Sequence, residues 1–378
     1  MIEYATLKIL WWFFIGLLLA GFAVMDGQDM GVGTLLPFLG KNDTERRIMI
    51  NCVAPHWDGN QVWLLTGAGA IFAAWPLVYA VAFSGLYAAL LIVLFALILR
   101  PVAFEYRSKV PVKNWRQSWD WLLFAGSCVP PVIFGVAFGN MLLGVPFTFD
   151  ETMRPIYEGT FFALLNPFAL LCGVISLCMM VFHGSGYLML KTSGELQARS
   201  RQIGLLACAV TILLFAVLGL YCAFGMDGFV AQGAAPDGPA VPLAKTVTVQ
   251  AGAWMNIFYA QPWLFLIPAG ALCAGFLGGL CQYVWRPRPA IVCSALMILC
   301  IVFTPLVSMF PFVLPSTFNP AASLTIWDCT SSRLTLQVML FVALALLPVA
   351  LCYTVWAYHV MAGKVNVQYI RANDRSLY

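Results

Sequence analysis

Nine apolar stretches, separated by short polar breaks, set the pattern of this 378-residue chain. They cover roughly 9–36, 61–75, 77–102, 121–143, 160–190, 203–224, 262–285, 289–312 and 334–361. A helix needs about 20 apolar residues to cross the hydrocarbon of a bilayer. The pattern therefore predicts nine membrane-spanning helices and an all-α polytopic membrane protein. The second stretch is short unless it begins near Asn51, which would take Asp58 into the helix. Trp75-Pro76 predicts a tight turn between the second and third.

Composition agrees. Hydrophobic residues make up 62% of the chain and charged residues 10%, against about 25% charged in soluble domains. The first apolar stretch lacks a basic leader and a small-residue cleavage site, so it is read as a retained span. The net charge of +4 says little by itself; its distribution says more. With nine spans, one side holds Lys41, Arg46, Arg47, Arg100, Arg107, Lys109, Lys113, Arg116, Lys191, Arg199, Arg201, Arg286, Arg288, Lys364, Arg371 and Arg375. The other side holds Lys8, Arg154, Lys245 and Arg333. Cytoplasmic loops carry the excess of Lys and Arg, which predicts a periplasmic N-terminus and a cytoplasmic C-terminus. A first four-helix unit is expected over 1–150. A second is expected over 151–313, with a long outer loop at 226–261 read as an irregular cap. Residues 314–378 then supply an outer loop, a ninth peripheral helix and a tail.

Four acids fall in or beside apolar helices: Asp26, Asp29, Asp58 and Glu105. Ionisable groups within a membrane are costly and usually belong to ion or proton routes. Desolvation disfavours a charged carboxyl, so such an acid can exchange a proton near neutral pH. All four are expected toward the cytoplasmic side of the first helices. Asp26 and Asp29, three apart, share a helix face. The glycines around them, Gly27, Gly31 and Gly33, permit close helix contact or a local break. The blander reading pairs each acid with a base at the membrane edge, Glu105 with Arg107 or Arg100 being the plainest case.

Other residues narrow the chemistry. The three histidines, His56, His183 and His359, form no pair at helical spacing, so polar interface roles are expected and no metal ligand. His56, next to Asp58, is a candidate aid to proton uptake. The twelve cysteines are scattered without a CxxC pair and read mostly as small buried hydrophobes; Cys329, in a loop, stands apart. Tryptophans gather at helix ends as an interfacial belt, except Trp57 and Trp63, which fall in the polar-acidic run. No phosphate-binding loop or nucleophile constellation is present, and no nucleic-acid partner is expected.

Several runs are specific enough to carry a family resemblance. Asp26-Gly27-Gln28-Asp29-Met30-Gly31-Val32-Gly33 resembles the first-helix signature of subunit II of cytochrome bd-type quinol oxidases. Arg46-Arg47-Ile48-Met49-Ile50-Asn51 with Pro55-His56-Trp57-Asp58-Gly59-Asn60-Gln61-Val62-Trp63 resembles that family's most recognisable run. Phe72-Ala73-Ala74-Trp75-Pro76, Arg100-Pro101 and Trp327-Asp328 fit as well, in order, along the whole chain. The similarity is greatest to the ubiquinol-oxidising enzymes of enteric bacteria.

The resemblance implies a complex that oxidises ubiquinol and reduces dioxygen to water. It implies two b-type haems and one haem d, all ligated by a partner subunit I, and often a small single-helix accessory subunit. It implies two four-helix bundles plus one peripheral helix, set in the lipids of the bacterial inner membrane. Carried over by motif, the family's proton route includes Asp58 and Glu105; close relatives have Asp at the second position. The suggested oxygen access passes Trp63, and a structural ubiquinone can occupy this subunit. Two rival readings use the same acids: a proton-coupled secondary transporter, and a purely structural assembly subunit.

Overall fold

The computed structural model describes residues 2–372 and 377–378; Arg375, counted above among the inner cations, lies outside them. The chain is helical almost throughout. In order come α1 (Tyr4–Leu39), α2 (Asp43–Val53), α3 (Trp57–Ala74), α4 (Pro76–Gly85), α5 (Tyr87–Tyr106), α6 (Lys113–Leu143), α7 (Pro167–Lys191), α8 (Gly194–Phe224), α9 (Asn256–Ala260), α10 (Leu266–Tyr283), α11 (Pro287–Met309), α12 (Arg333–Val360) and α13 (Val367–Ala372). Among the described residues, eight helical spans are long and apolar enough to cross a bilayer; treating α3 and α4 as one broken span gives up to nine.

α1 is the axis of the fold, packing on α3, α6, α7 and α11. Further out, α5 packs on α6, α8 on α7, and α10 on α8 and α11. Three antiparallel hairpins decorate the end where α1 begins: β1 (Phe147–Phe149) with β2 (Pro155–Tyr157), β3 (Asp227–Gln232) with β4 (Thr246–Ala251), and β5 (Phe312–Leu314) with β6 (Leu324–Thr325). The opposite end carries α2 and most of the basic residues.

Several expectations from the sequence are corrected. The third apolar stretch is two helices, α4 and α5, interrupted at Leu86. The turn at Trp75-Pro76 bends α3 from α4 by 119°; Pro76 takes the first helical position, where its missing N–H costs nothing. The segment before Asp58 is neither loop nor an extension of the span but the separate helix α2. Its N-cap Asn42 accepts from the Glu45 amide, and Glu45 reaches back to the Lys41 amide, a reciprocal cap that fixes where α2 starts. The outer loop is not irregular throughout, because its alternating Val and Thr residues form β4.

That cap is fastened by buried charge. Lys8 is fully buried and donates to the main-chain oxygens of Pro236, Gly238 and Trp327. Lys245 pairs with Asp328 at 2.8 Å. Cys329 is buried beside them, and burial, followed by the Asp328 charge, pushes its thiol well above the usual range.

The glycine run in α1 produces no break; the helix is continuous through it. A Cβ on Gly31 would stand 2.1 Å from the Met180 carbonyl oxygen, and one on Gly184 would stand 2.7 Å from the Val32 nitrogen. α1 and α7 therefore meet backbone to backbone. Gly31→Val is expected to destabilise by at least ~1–3 kcal/mol, the usual cost of overpacking. Thermal unfolding of the detergent-solubilised protein checks this, and an unchanged midpoint would show that the helices separate freely.

Candidate functional site

The buried polar groups of the first helices gather near the basic end. Asp26 and Asp29 are both buried on α1, where α1 meets α3, α6 and α7. Their three-residue spacing turns them to different partners. Arg100 on α5 clasps Asp26 through both terminal nitrogens, at 2.7 and 2.6 Å. All of that ion pair is out of solvent, and its planar fork geometry is available to arginine but not to lysine.

Asp29 has no such cation. Its Oδ2 accepts from the Asn60 amide at 2.8 Å. Asn60 also donates to the Tyr358 hydroxyl, which the Gln28 amide reaches as well. Asp29 Oδ1 has no hydrogen-bond partner, nor has His56 Nδ1, and the two atoms are 3.9 Å apart. His56 caps the start of α3. Its ring stacks on Tyr358, 4.5 Å between centroids, and its Nε2 lies 2.7 Å from the Tyr187 hydroxyl.

The Tyr187 hydroxyl stands between the Cys52 carbonyl, at 3.2 Å, and His56 Nε2, at 2.7 Å, and its one proton serves one of them at a time. Donation to Cys52 goes with a hydrogen on Nε2 and a lone pair on Nδ1; donation to Nε2 goes with a hydrogen on Nδ1, facing Asp29. The two arrangements differ by the position of one proton at the Asp29–His56 gap, which suits that gap to proton exchange.

The other acids stand elsewhere. Asp58, in the first turn of α3, and Glu105, in the last turn of α5, are exposed on this chain; neither is enclosed as the apolar flanks suggested. Asp58 faces outward because Asn60, two residues on, is the one turned into the bundle. His56 does not serve Asp58 as its neighbour in sequence suggested; it faces Asp29. Glu105 pairs with neither Arg100 nor Arg107. Arg107 instead binds Asp120 at 2.5 Å and Asp43 at 2.8 Å, while Arg46 joins Asp120 and Arg116 joins Asp43. Trp63 is half-buried against Gly21 of α1, where a Cβ would lie 2.6 Å from its ring.

Sequence reasoning missed Asn60, Gln28, Tyr187 and Tyr358 as members of the site. Asn60 and Gln28 lay inside the quoted motifs as polar residues within apolar helices, a signal available beforehand. Tyr187 and Tyr358 had none, since an aromatic in a span is ordinarily core or belt. His183 is buried in a separate place, its Nδ1 2.7 Å from the Ser294 hydroxyl. Among the described residues no group of three His, Cys, Asp or Glu side chains could hold a metal ion.

Fold and site together define a polytopic helical membrane protein that keeps an ion pair and a polar cluster around Asp29 and His56 inside its helices. Comparison with known proteins specifies it further. Residues 7–361 match the family described as cytochrome bd terminal oxidase subunit II. The chain is 51% identical to cytochrome bd-I ubiquinol oxidase subunit 2 of Escherichia coli K12, with all of both chains covered. It is 50% identical, again over all of both, to a probable cytochrome oxidase subunit 2 of Haemophilus influenzae. Its fold is similar to a bd oxidase structure from Geobacillus thermodenitrificans, with TM-score 0.71 and 13% identity, covering 94% of this chain and 98% of that one. The chain belongs to the cytochrome bd subunit II family and is a subunit of a quinol:oxygen oxidoreductase complex. Membership implies haem cofactors in that complex and a partner subunit I.

Proposed function

We propose that this subunit carries part of the route by which protons from the cytoplasm reach the oxygen-reducing haem. The observation that carries the reading is the pair of buried atoms without a hydrogen-bond partner, Asp29 Oδ1 and His56 Nδ1, facing each other at 3.9 Å. That separation exceeds a direct hydrogen bond; a carboxyl rotation or a bridging water brings the atoms into transfer range. Asp58 and Glu105 are the outer acids, exposed at the basic end, which the positive-inside rule assigns to the cytoplasm. Asn60, two residues along α3 from Asp58, touches Asp29. Asp26, held by Arg100, supplies fixed charge near the site.

In this reading the N-terminus is periplasmic and the C-terminus cytoplasmic, in the bacterial inner membrane. Two b-type haems and haem d are ligated by subunit I, and a small accessory subunit joins the complex. Ubiquinol is the reductant, as the name of the E. coli relative states. The partly open ring of Trp63 is the point where we take oxygen to pass.

Asp58→Asn tests the route. Oxygen uptake driven by ubiquinol is expected to fall about tenfold, less than the ~10²–10⁴ of a positioned acid–base group, because Asp58 is open to solvent. Haem content, read from the reduced-minus-oxidised spectrum, is expected to stay normal. Full turnover in the variant would remove Asp58 from the route. Lost haem would make its role structural.

A further inference from the structure

We infer that Tyr187 is a positioning residue for the proton held between Asp29 and His56, its hydroxyl turning from one acceptor to the other as that proton arrives and leaves; this rests on the route proposed above. Tyr187 lies on α7, Asp29 on α1 and Cys52 in the last turn of α2, while His56 starts α3. The hydroxyl therefore stands where four helices converge.

The ring is fixed and its hydroxyl hydrogen is not. Tyr187 is buried. His56 stands edge-on to it, 5.8 Å between centroids, and Lys191 Nζ lies 5.7 Å from the ring centre. Lys191 is itself held by the Met361 carbonyl at 2.6 Å. With its heavy atoms so confined, the side chain keeps one freedom, rotation of the O–H bond. Two acceptors are in reach: His56 Nε2 at 2.7 Å and the Cys52 carbonyl at 3.2 Å. That carbonyl is among the last of α2, which the helix itself leaves without a partner.

Each orientation suits a different number of protons. When the hydroxyl points at Cys52, His56 carries its hydrogen on Nε2 and donates to the Tyr187 oxygen. Nδ1 then offers a lone pair, and a proton on Asp29 Oδ1 completes the row: Asp29 to His56, His56 to Tyr187, Tyr187 to Cys52. When the hydroxyl points at Nε2, the His56 hydrogen sits on Nδ1 and faces an ionised Asp29. This second state holds one proton fewer. It leaves only the Cys52 carbonyl unpaired, and a bare carbonyl is better tolerated than a bare N–H. On loading, the Nδ1 hydrogen crosses to Asp29 Oδ1 and the incoming proton takes its place on the ring at Nε2. One N–H bond breaks, one O–H and one N–H bond form, and the cluster gains one positive charge. Tyr187 makes the exchange possible by turning away from Nε2 and then accepting from it.

The test is Tyr187→Phe in the complete oxidase, measured as ubiquinol-driven oxygen uptake in water and in deuterium oxide. The ring stays beside His56 and Lys191, so haem spectra and ubiquinol KM are expected to match the parent. Nε2 loses its partner in both states. The expected result is a kcat lowered about tenfold, the size of one buried donor left unpaired, with a larger solvent deuterium effect as proton loading becomes the slow step. Tyr187→3-fluorotyrosine is the second variant. It keeps the hydroxyl but weakens its oxygen as an acceptor, so a smaller loss with the same rise in deuterium effect is expected. A slow variant with the parent's deuterium effect would make Tyr187 a packing residue and overturn the inference. Should the phenylalanine variant lose haem, the fluorinated one decides, and parent behaviour there overturns the inference too. If both variants behave as the parent while Asp29→Asn is slow, the inference about Tyr187 is wrong and the route stands. If Asp29→Asn is normal as well, the route itself falls.

Discussion

Arg100→Met is expected to remove most assembled, haem-bearing oxidase from the membrane. Arg100 and Asp26 are both fully shielded, and the guanidinium fork makes two short hydrogen bonds to one carboxylate. Deleting one member of a buried pair leaves the other charge uncompensated, at a cost of roughly 3–5 kcal/mol. Inside a bilayer water cannot easily reach the orphaned carboxylate, so relief is limited. Arg100→Lys keeps the charge but loses the fork and should retain only part of the yield. The double variant Asp26→Leu/Arg100→Met separates the explanations, because replacing a buried pair with apolar groups of similar volume is often close to neutral. Recovery of yield in the double variant is the expected result, read as haem per milligram of membrane protein and as thermal midpoint. If the single variant assembles normally, the pair is not holding these helices together.

Asp29→Asn should behave in the opposite way: the complex assembles, and turnover falls by about a hundredfold, the lower range for a positioned proton-transfer group. What changes is the proton exchanged between Asp29 and His56. An asparagine in place of Asp29 can still accept from Asn60 with its oxygen while its amide nitrogen donates across the gap to His56 Nδ1. That imitates the proton-loaded site permanently. Packing is preserved and exchange is lost, so haem spectra and stability should match the parent while oxygen uptake does not. A variant that turns over at the parent rate would mean protons bypass Asp29.

The two substitutions also mark what the sequence made legible. Apolar length, the Trp75-Pro76 turn and the placement of basic residues specify the spans well, because the bilayer imposes one strong rule on helix length and charge. Asp26 and Asp29 were readable as a site because acids in apolar helices are costly. Their partners were not. Whether Arg100 pairs with Glu105, five residues away, or with Asp26, seventy-four residues away, depends on how α1 and α5 pack, which no local pattern encodes. Asp58 looked enclosed because its flanks are apolar, yet helical phase turns it outward and Asn60 inward. The break at Leu86 had no proline or charge to announce it. α2 was hidden for a different reason: it is half polar, so a search for apolar stretches passes over it, though its Asn42–Glu45 cap was in plain view.

α12 has one more consequence. Its ends are engaged with the rest of the chain: the Trp11 indole donates to the Leu336 carbonyl and Leu340 is buried at one end, and Tyr358 joins Asn60 and Gln28 at the other. Between them, Leu344 to Tyr353 is exposed apart from the half-buried Leu347. It is a rod pinned at two points along the slab of lipid it crosses. A spanning helix answers a change in hydrocarbon thickness by tilting or by straining its anchors. One of those anchors is the hydroxyl that holds Asn60, and Asn60 holds Asp29. Bilayer thickness is thereby mechanically connected to the geometry of a single carboxyl group.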